Sequence, residues 1–207
     1  MMKKGFTLAE VLITLAIIGV VATMVLPGVL TNTAEQQAKT GVKKAIYVLT
    51  NIAKMNEAME GYDFAGTTEA TNNDSAESVY GIIARRGDVD WAKTEDGTKS
   101  TADTSNYVMF FRDGSSISFD KSLKGADNAT PQADGLPLGF GVVYDMNGDS
   151  APNILSNCNS NTATTNVNDT GTCNKGSRVI KDRFALRIRG QVVEPNGSAA
   201  RWAADKE

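Results

Sequence analysis

A long apolar run near the amino end constrains this chain more than any other feature. Within residues 11–30 the run is interrupted only by two threonines, two glycines and Pro27. As a helix rising about 1.5 Å per residue it covers roughly 30 Å, the thickness of the hydrocarbon core of a bilayer. The run therefore predicts one membrane-spanning helix.

A short basic head precedes the run. Lys3 and Lys4 follow two methionines, and positive residues beside a span tend to stay on the cytoplasmic side. This arrangement predicts that most of the chain is extracytoplasmic. A secretory signal peptide has a similar head, but it ends in a small-residue cleavage site after a shorter apolar stretch. A removable signal and a plain anchor both remain open on composition alone.

The composition limits what the rest of the chain can do. With 207 residues, 41% apolar and 22% charged, it has material for one core and one appendage. It contains no histidine, which removes the commonest general base and the commonest zinc ligand. The net charge of -3 leaves no global excess of cations for nucleic acid. We therefore expect no enzymatic role.

The residues around the start of the run form a recognisable motif. A Gly5-Phe6 junction follows the lysines, Glu10 lies four residues after Phe6, and Pro27 lies 21 residues after it. This pattern resembles the class III leader of type IV pilins and of the related pseudopilins of type II secretion systems. Ala9 departs mildly from the pattern, because a larger aliphatic residue is common there.

The resemblance implies a processing route. A prepilin peptidase would remove the leader, residues 1–5, by cutting between Gly5 and Phe6, and would then methylate the new amino group of Phe6. Residues 6–30 would stay attached as a transmembrane and polymerisation helix. The protein would be a single-pass inner-membrane protein with an extracytoplasmic domain until it joins a surface filament or a periplasmic pseudopilus.

Glu10 is the one acid at the head of this apolar segment. An unpaired carboxylate near a bilayer costs several kcal/mol, about 3 or more, so it needs a partner. The segment between Phe6 and residue 30 contains no basic residue. By resemblance, the partner is the amino terminus of a neighbouring subunit, and the pair sets the register of assembly. The alternative is that Glu10 reaches the interface beside the amino terminus without a partner.

Apolar residues continue at helical spacing beyond the run. They predict a buried stripe on an amphipathic helix, residues 31–61, that ends near Gly61: Val42, Ile46, Leu49, Ile52 or Ala53, and Met59. Joined to the first half, this makes one helix of about 50 residues. Pro27 is expected to kink or loosen it. The alternative is a helix that ends at Pro27 and a second that begins near Glu35.

The remaining sequence predicts a connection followed by a sheet. Residues 62–106 are rich in small polar residues and predict a variable surface connection with one short helix over residues 77–85. In residues 107–207, two strand-like runs flank Asp113-Gly114, which is typical of a tight hairpin turn. Later runs end at Asp145 and turn near Gly190. Four or five antiparallel strands packed on the helix predict an α+β fold, which is also the pilin-like plan.

One stretch suggests a metal. Asp145, Asn147 and Asp149 alternate as oxygen ligands, and Asn153 follows at a distance that allows it to complete a calcium shell. The pattern is not an EF-hand, since no glutamate closes it. The alternative, which we favour, is an Asn-Gly turn that leaves a strand. No other cofactor is indicated.

Two further groups of residues carry expectations. Cys158 and Cys173 bracket a polar loop and predict a disulfide, the usual state of two cysteines in an extracytoplasmic domain, with free thiols as the alternative. Five basic residues suggest a stripe for DNA, but few aromatic residues accompany them and solvation is the simpler interpretation: Arg178, Lys181, Arg183, Arg187 and Arg189. Nucleic acid is therefore an unlikely partner.

Two functions fit the whole pattern. The first is a structural subunit of a type IV pilus or pilus-like filament, a homo- or hetero-polymer. The second is a pseudopilin of a type II secretion system that acts in protein export. By resemblance, both depend on prepilin peptidase and methyltransferase and on inner-membrane assembly machinery.

Overall fold

The structure is a computed structural model that describes residues 5–68, 76–94, 106–120, 122–125, 130–148, 150–158, 173 and 178–205. The chain divides into two units, Met1–Gln37 and Ala38–Glu207, and each is described by itself. The first four residues of the expected leader lie outside the described residues.

A single long helix begins the described chain. Helix α1 covers Leu8–Glu60, 53 residues, and Pro27 lies within these bounds. The prediction of one helix of about 50 residues is confirmed, and the alternative of two helices is not found. The helix ends at Gly61, which has φ +80° and donates its N–H to the Glu57 carbonyl at 2.9 Å. Glycine is favoured there because a residue with a Cβ is strained in the left-handed backbone conformation.

The half of α1 in the second unit buries one side in the core. The predicted stripe is confirmed for Val42, Leu49, Ile52 and Ala53, and Ile46 is partly buried against the same core. The fully buried side chains, each at most 4% exposed, are Ala38, Val42, Ala45, Leu49, Ile52 and Ala53. The prediction for Met59 is wrong, because its side chain is 64% exposed. Asn56 is buried in the last turn instead, where its Nδ2 donates to the Tyr62 carbonyl at 3.0 Å.

Two short helices and a strand occupy the region expected to be a connection. A 3-10 helix covers Phe64–Gly66 and helix α2 covers Val79–Arg86. The short helix predicted over residues 77–85 is thus confirmed, and the Ser78 hydroxyl caps it by accepting from the Gly81 N–H at 3.0 Å. Strand β1, Val89–Thr94, also lies here and was not expected.

The sheet has six antiparallel strands in sequence order. The other five strands are β2 Asn106–Phe111, β3 Ser116–Asp120, β4 Phe140–Asp145, β5 Arg183–Arg189 and β6 Val192–Pro195. Each strand pairs with the next along the chain. The α+β class with an antiparallel sheet is confirmed, and the sheet is larger than the expected four or five strands.

The hairpin between β2 and β3 is confirmed, with a different turn. Gly114 has φ +87°, whereas among the described non-glycine residues only Asn153 and Asp205 have positive φ, so Asp113 does not. Asp113 instead accepts hydrogen bonds from the N–H and hydroxyl of Ser115 at 2.9 and 2.6 Å. The tight hairpin turn that Asp113-Gly114 predicts has positive φ at both residues. The structure has positive φ at Gly114 alone, and the Asp113 side chain forms an aspartate turn.

Strand β5 alternates between the core and the opposite face. Phe184, Leu186 and Ile188 are at most 1% exposed and pack with the buried side of α1 in one cluster, as their spacing predicts. Arg183 and Arg187 lie on the other face and are partly exposed. One helix against one sheet face thus builds the core of the second unit.

A carboxy-terminal helix contacts α1. Helix α3 covers Ser198–Ala203, and the ring of Trp202 lies 4.9 Å from Lys39 Nζ and 4.5 Å from the Arg178 guanidinium. Asp205, just after α3, contacts Lys39 and Lys43 at 2.5 Å each. Hydrogen bonds from these lysines hold the pKa of the Asp205 carboxyl at about 2, below its ordinary value. The end of the described chain is therefore tied to α1 by charge and by cation contacts with an aromatic ring.

Candidate functional site

The first unit presents an apolar helix surface. Leu8–Leu26, 19 residues with mean hydropathy 2.4, is long and apolar enough to cross a membrane, and none of it is buried. Large side chains such as Leu12, Ile17 and Met24 are 58, 59 and 78% exposed. Such a surface requires lipid or another protein around it.

Glu10 forms a reciprocal cap with Thr7 at the start of α1. Oε2 of Glu10 accepts hydrogen bonds from both the Thr7 N–H and the Thr7 hydroxyl at 2.8 Å each. The Glu10 N–H in turn donates to the Thr7 hydroxyl oxygen at 3.3 Å. This is a capping box, in which a threonine and a glutamate three residues later satisfy exposed N–H groups of the first turn.

Sequence reasoning missed this role for Thr7. The signal was present, because Thr7 and Glu10 have the threonine-x-x-glutamate spacing directly before an apolar run. The cap uses Oε2, and the side chain of Glu10 remains exposed. Glu10 is therefore both part of the helix start and available to a cation from outside.

The other expected assembly residues lie at the same end of α1 or within it. Gly5 and Phe6 precede the helix in exposed, non-helical chain, and Phe6 is 90% exposed. A peptidase needs such an accessible, non-helical junction. Pro27 falls inside α1. Cleavage, methylation and the roles of Glu10 and Pro27 in assembly stay predictions.

The predicted disulfide is present. Cys158 and Cys173 are bonded, with their Cα atoms 4.8 Å apart, and both are buried. The 14 residues between them lie outside the described residues. The alternative of free thiols is therefore wrong for this pair.

One of the predicted calcium ligands, Asp145, is engaged with protein donors. Asp145 is 3% exposed, and its two carboxylate oxygens accept from Arg183 Nε at 2.8 Å and from the Asn147 N–H at 3.1 Å. Burial raises the pKa of the Asp145 carboxyl, and the hydrogen bond from Arg183 opposes that rise. The backbone N–H of Asn153 donates to Asp182 at 2.7 Å.

These contacts do not assemble a metal shell. Asp149 lies outside the described residues. Among the residues that are described, no group of three or more acidic, cysteine or histidine side chains is placed to hold a metal. Asp145 as it stands serves an ion pair with Arg183 rather than an open ligand position. Calcium binding by this loop stays a prediction.

The basic residues considered for DNA are partly neutralised. Arg183 pairs with Asp145, and Arg189 binds Asp134 through two hydrogen bonds of 2.7 and 2.8 Å. Arg189 also donates to the Pro137 carbonyl at 2.7 Å. Arg183 therefore forms an ion pair between β4 and β5, and Arg189 holds the segment before β4 against the sheet.

Comparison with known proteins identifies the amino-terminal motif. Residues 1–26 match the family model described as the prokaryotic N-terminal methylation motif. A type IV major fimbrial protein FimA of Dichelobacter nodosus is 34% identical over 98 residues, which cover 46% of this chain and 60% of that protein. A second FimA sequence from the same organism is 34% identical over 98 residues, with 46 and 61% covered.

A further fimbrial protein of Dichelobacter nodosus is 32% identical over 98 residues, again 46% of this chain and 61% of that protein. The chain thus spans about three fifths of the length of the curated relatives it matches. No solved structure matches it significantly. The chain is therefore similar to these fimbrial proteins over about half of its length and carries the methylation motif at its amino end.

Proposed function

We propose that the protein is a structural subunit of a type IV pilus or pilus-like filament. One observation carries the proposal: a methylation motif over residues 1–26 coincides with a fully exposed apolar helix surface headed by Glu10. The names of the relatives, major fimbrial proteins, support a structural rather than an enzymatic role.

Processing would prepare the helix for assembly. A prepilin peptidase cuts the accessible Gly5-Phe6 junction and the new amino group of Phe6 is methylated. The apolar span then holds the subunit in the inner membrane, with Ala38–Glu207 on the extracytoplasmic side. The inner-membrane assembly machinery moves the subunit from lipid into the polymer.

Glu10 would supply the intersubunit contact. In residues 5–34 it is the only charged side chain, so no neighbour within that segment can neutralise it. The Phe6 amine of an adjacent subunit is a cation of the right size at the right end of the helix. In low-dielectric surroundings such a pair is much stronger than in water, which favours assembly only in register.

Mass spectrometry of the mature amino terminus tests the proposal. In a sheared surface fraction we expect a chain that begins with N-methylated Phe6. The same terminus confined to the envelope would favour the pseudopilin function in protein export. A mature chain that starts at Met1, or that is cut beyond residue 30, would overturn both.

Variants of Glu10 isolate the charge in the same experiment. Glu10→Gln keeps an oxygen that can accept from Thr7 and loses the charge, whereas Glu10→Ala loses both. We expect normal cleavage in both variants and loss of polymer in both. Wild-type polymer yield from Glu10→Gln would remove the ion pair from the proposal.

A further inference from the structure

A pocket lies between α1 and the sheet within the second unit. Its apolar walls come from three positions on one face of α1 and from two aromatic residues near the ends of β2 and β4: Ala45, Val48, Leu49, Phe111 and Tyr144. Residues of the β2–β3 turn border these walls. We call this site the hairpin pocket.

The size of the hairpin pocket suits a small molecule. Its volume is about 220 Å³. An engineered cavity of about 150 Å³ with apolar walls holds benzene, so this volume has room for one or two fused rings. Apolar walls with a few polar groups are the usual form of a small-molecule site in proteins.

The charges at the rim of the pocket balance one another. Lys44 pairs with Asp113 at 2.6 Å, and Arg112 pairs with Asp88 at 3.2 Å. All four residues line the pocket, so two cations are matched by two anions. A ligand with a net charge would compete for a group that already has a partner, and it would lose hydration against the apolar walls. We therefore expect an uncharged ligand.

The polar end of the pocket offers hydrogen-bond acceptors. The Ser115 hydroxyl donates to Asp113 Oδ1 at 2.6 Å, and the Ser115 N–H donates to the same oxygen at 2.9 Å. A hydrogen bond also joins the hydroxyls of Ser115 and Tyr144, which are both buried. Because the serine proton is donated to Asp113, the Tyr144 O–H is the donor of that bond. The remaining lone pairs of these hydroxyl oxygens suit a ligand with an N–H or O–H.

We propose that the hairpin pocket binds a small uncharged aromatic molecule with one N–H or O–H donor, of which indole and phenol are simple examples. The rings of Phe111 and Tyr144 supply aromatic contacts, and α1 supplies the opposite apolar wall. The bound molecule touches both α1 and the hairpin, so it stabilises the second unit as its occupancy rises. Every residue involved belongs to Ala38–Glu207, and binding does not require assembly into a filament.

A titration with indole locates the site, followed by methyl NMR of the full-length chain in detergent micelles. We expect saturable shifts of the Ala45 and Leu49 methyl signals, and nuclear Overhauser contacts between these methyls and the indole protons. The methyl signals of Val79, which is buried but does not line the pocket, should not move. Shifts confined to methyls of the apolar span, such as those of Leu12, would show partition into the micelle and overturn the site.

A variant that fills the pocket tests the same site from the protein side. Val48 is half-buried, and Val48→Phe places a ring where the ligand is expected, so the affinity for indole should fall at least about tenfold. Ile46→Phe is the matched control, because Ile46 is a half-buried residue of the same helix that does not line the pocket. Equal affinities of both variants and wild type would overturn the proposal. If Val48→Phe unfolds, the nuclear Overhauser contacts of the wild type decide.

Three analogues of indole test the chemistry of the ligand. The compound 1-methylindole removes the N–H, tryptamine adds a cation and indole-3-acetate adds an anion. We expect each to bind at least about tenfold more weakly than indole. Equal binding of either charged analogue would overturn the uncharged ligand, and equal binding of 1-methylindole would overturn the donor. None of these results bears on the filament, which depends on Glu10 and the amino-terminal motif.

Discussion

At the scale of single residues, Asp205 shows how a local cluster sets a pH response. Its carboxyl has a folded pKa of about 2 because Lys39 and Lys43 donate to it, against an ordinary value of 3.8. A folded pKa below the unfolded one stabilises the fold above about pH 4, and this stabilisation is lost as the pH falls from about 4 towards 2.

We therefore expect the melting temperature of wild type to fall more steeply between pH 4 and 2 than that of Asp205→Asn, measured by circular dichroism. Lys39→Gln with Lys43→Gln removes the donors and should reproduce the shallower dependence. Equal slopes for all three proteins would show that the cluster does not contribute.

Residue-scale features divide into those visible in sequence and those that are not. The Thr7 and Glu10 cap is local, three residues apart, so its pattern can be read directly. The pairing of Asp145 with Arg183 joins residues 38 positions apart. Sequence reasoning considered Asp145 as a calcium ligand, favoured a turn at that point, and placed Arg183 on an outer face. Neither residue reveals its partner before β4 and β5 are placed side by side.

At the scale of elements, the hairpin between β2 and β3 depends on one glycine. Gly114 has φ +87°, and a Cβ there would meet no atom within 4 Å, so its cost is purely conformational. We expect Gly114→Ala to lower the free energy of unfolding by about 1 kcal/mol.

Gly141→Ala is the matched control for that variant. Gly141 lies in β4 without a positive φ, and the nearest contact of a new Cβ is the Asn196 side chain at 4.0 Å. Its free energy of unfolding in denaturant titration should stay within about 0.5 kcal/mol of wild type. A loss at Gly141 as large as at Gly114 would contradict the backbone explanation.

Element predictions succeeded where the pattern was long or local. Helix α1 follows from its periodicity and the β2–β3 hairpin from its turn glycine, and helix α2 was predicted as one short helix within the connection. Strand β1 was missed because its sequence, VDWAKT, is short and partly polar. Its strand conformation depends on backbone hydrogen bonds with β2, which the sequence pattern does not show.

At the scale of the whole molecule, the chain divides near residue 38. Every member of the hydrophobic core comes from Ala38 onward, although α1 is assigned as one helix. The second unit therefore contains its own core and its own disulfide.

We expect residues 38–207, produced in the periplasm, to be soluble and to unfold cooperatively on heating, because the described core residues all lie within them. Circular dichroism and analytical ultracentrifugation check this, and Cys158–Cys173 should form. Aggregation or a non-cooperative transition would show that the first unit contributes to the folding of the second.

The sequence by itself determined the features that depend on neighbours along the chain: the apolar span with its basic head, the acid at the start of the helix, the long helical periodicity and the turn at Gly114. It also predicted the disulfide, since a polar loop bounded by two cysteines offers little apolar surface for burial. These features are decided over a few residues or by composition, and tertiary contacts do not alter them.

Only the tertiary structure decided which residues at the end of α1 face the core. Asn56 is buried because Tyr62 offers a carbonyl to its amide, and Met59, which the helical spacing also placed in the core, is left exposed. Burial of an amide depends on a partner beyond the helix, after the chain has turned at Gly61.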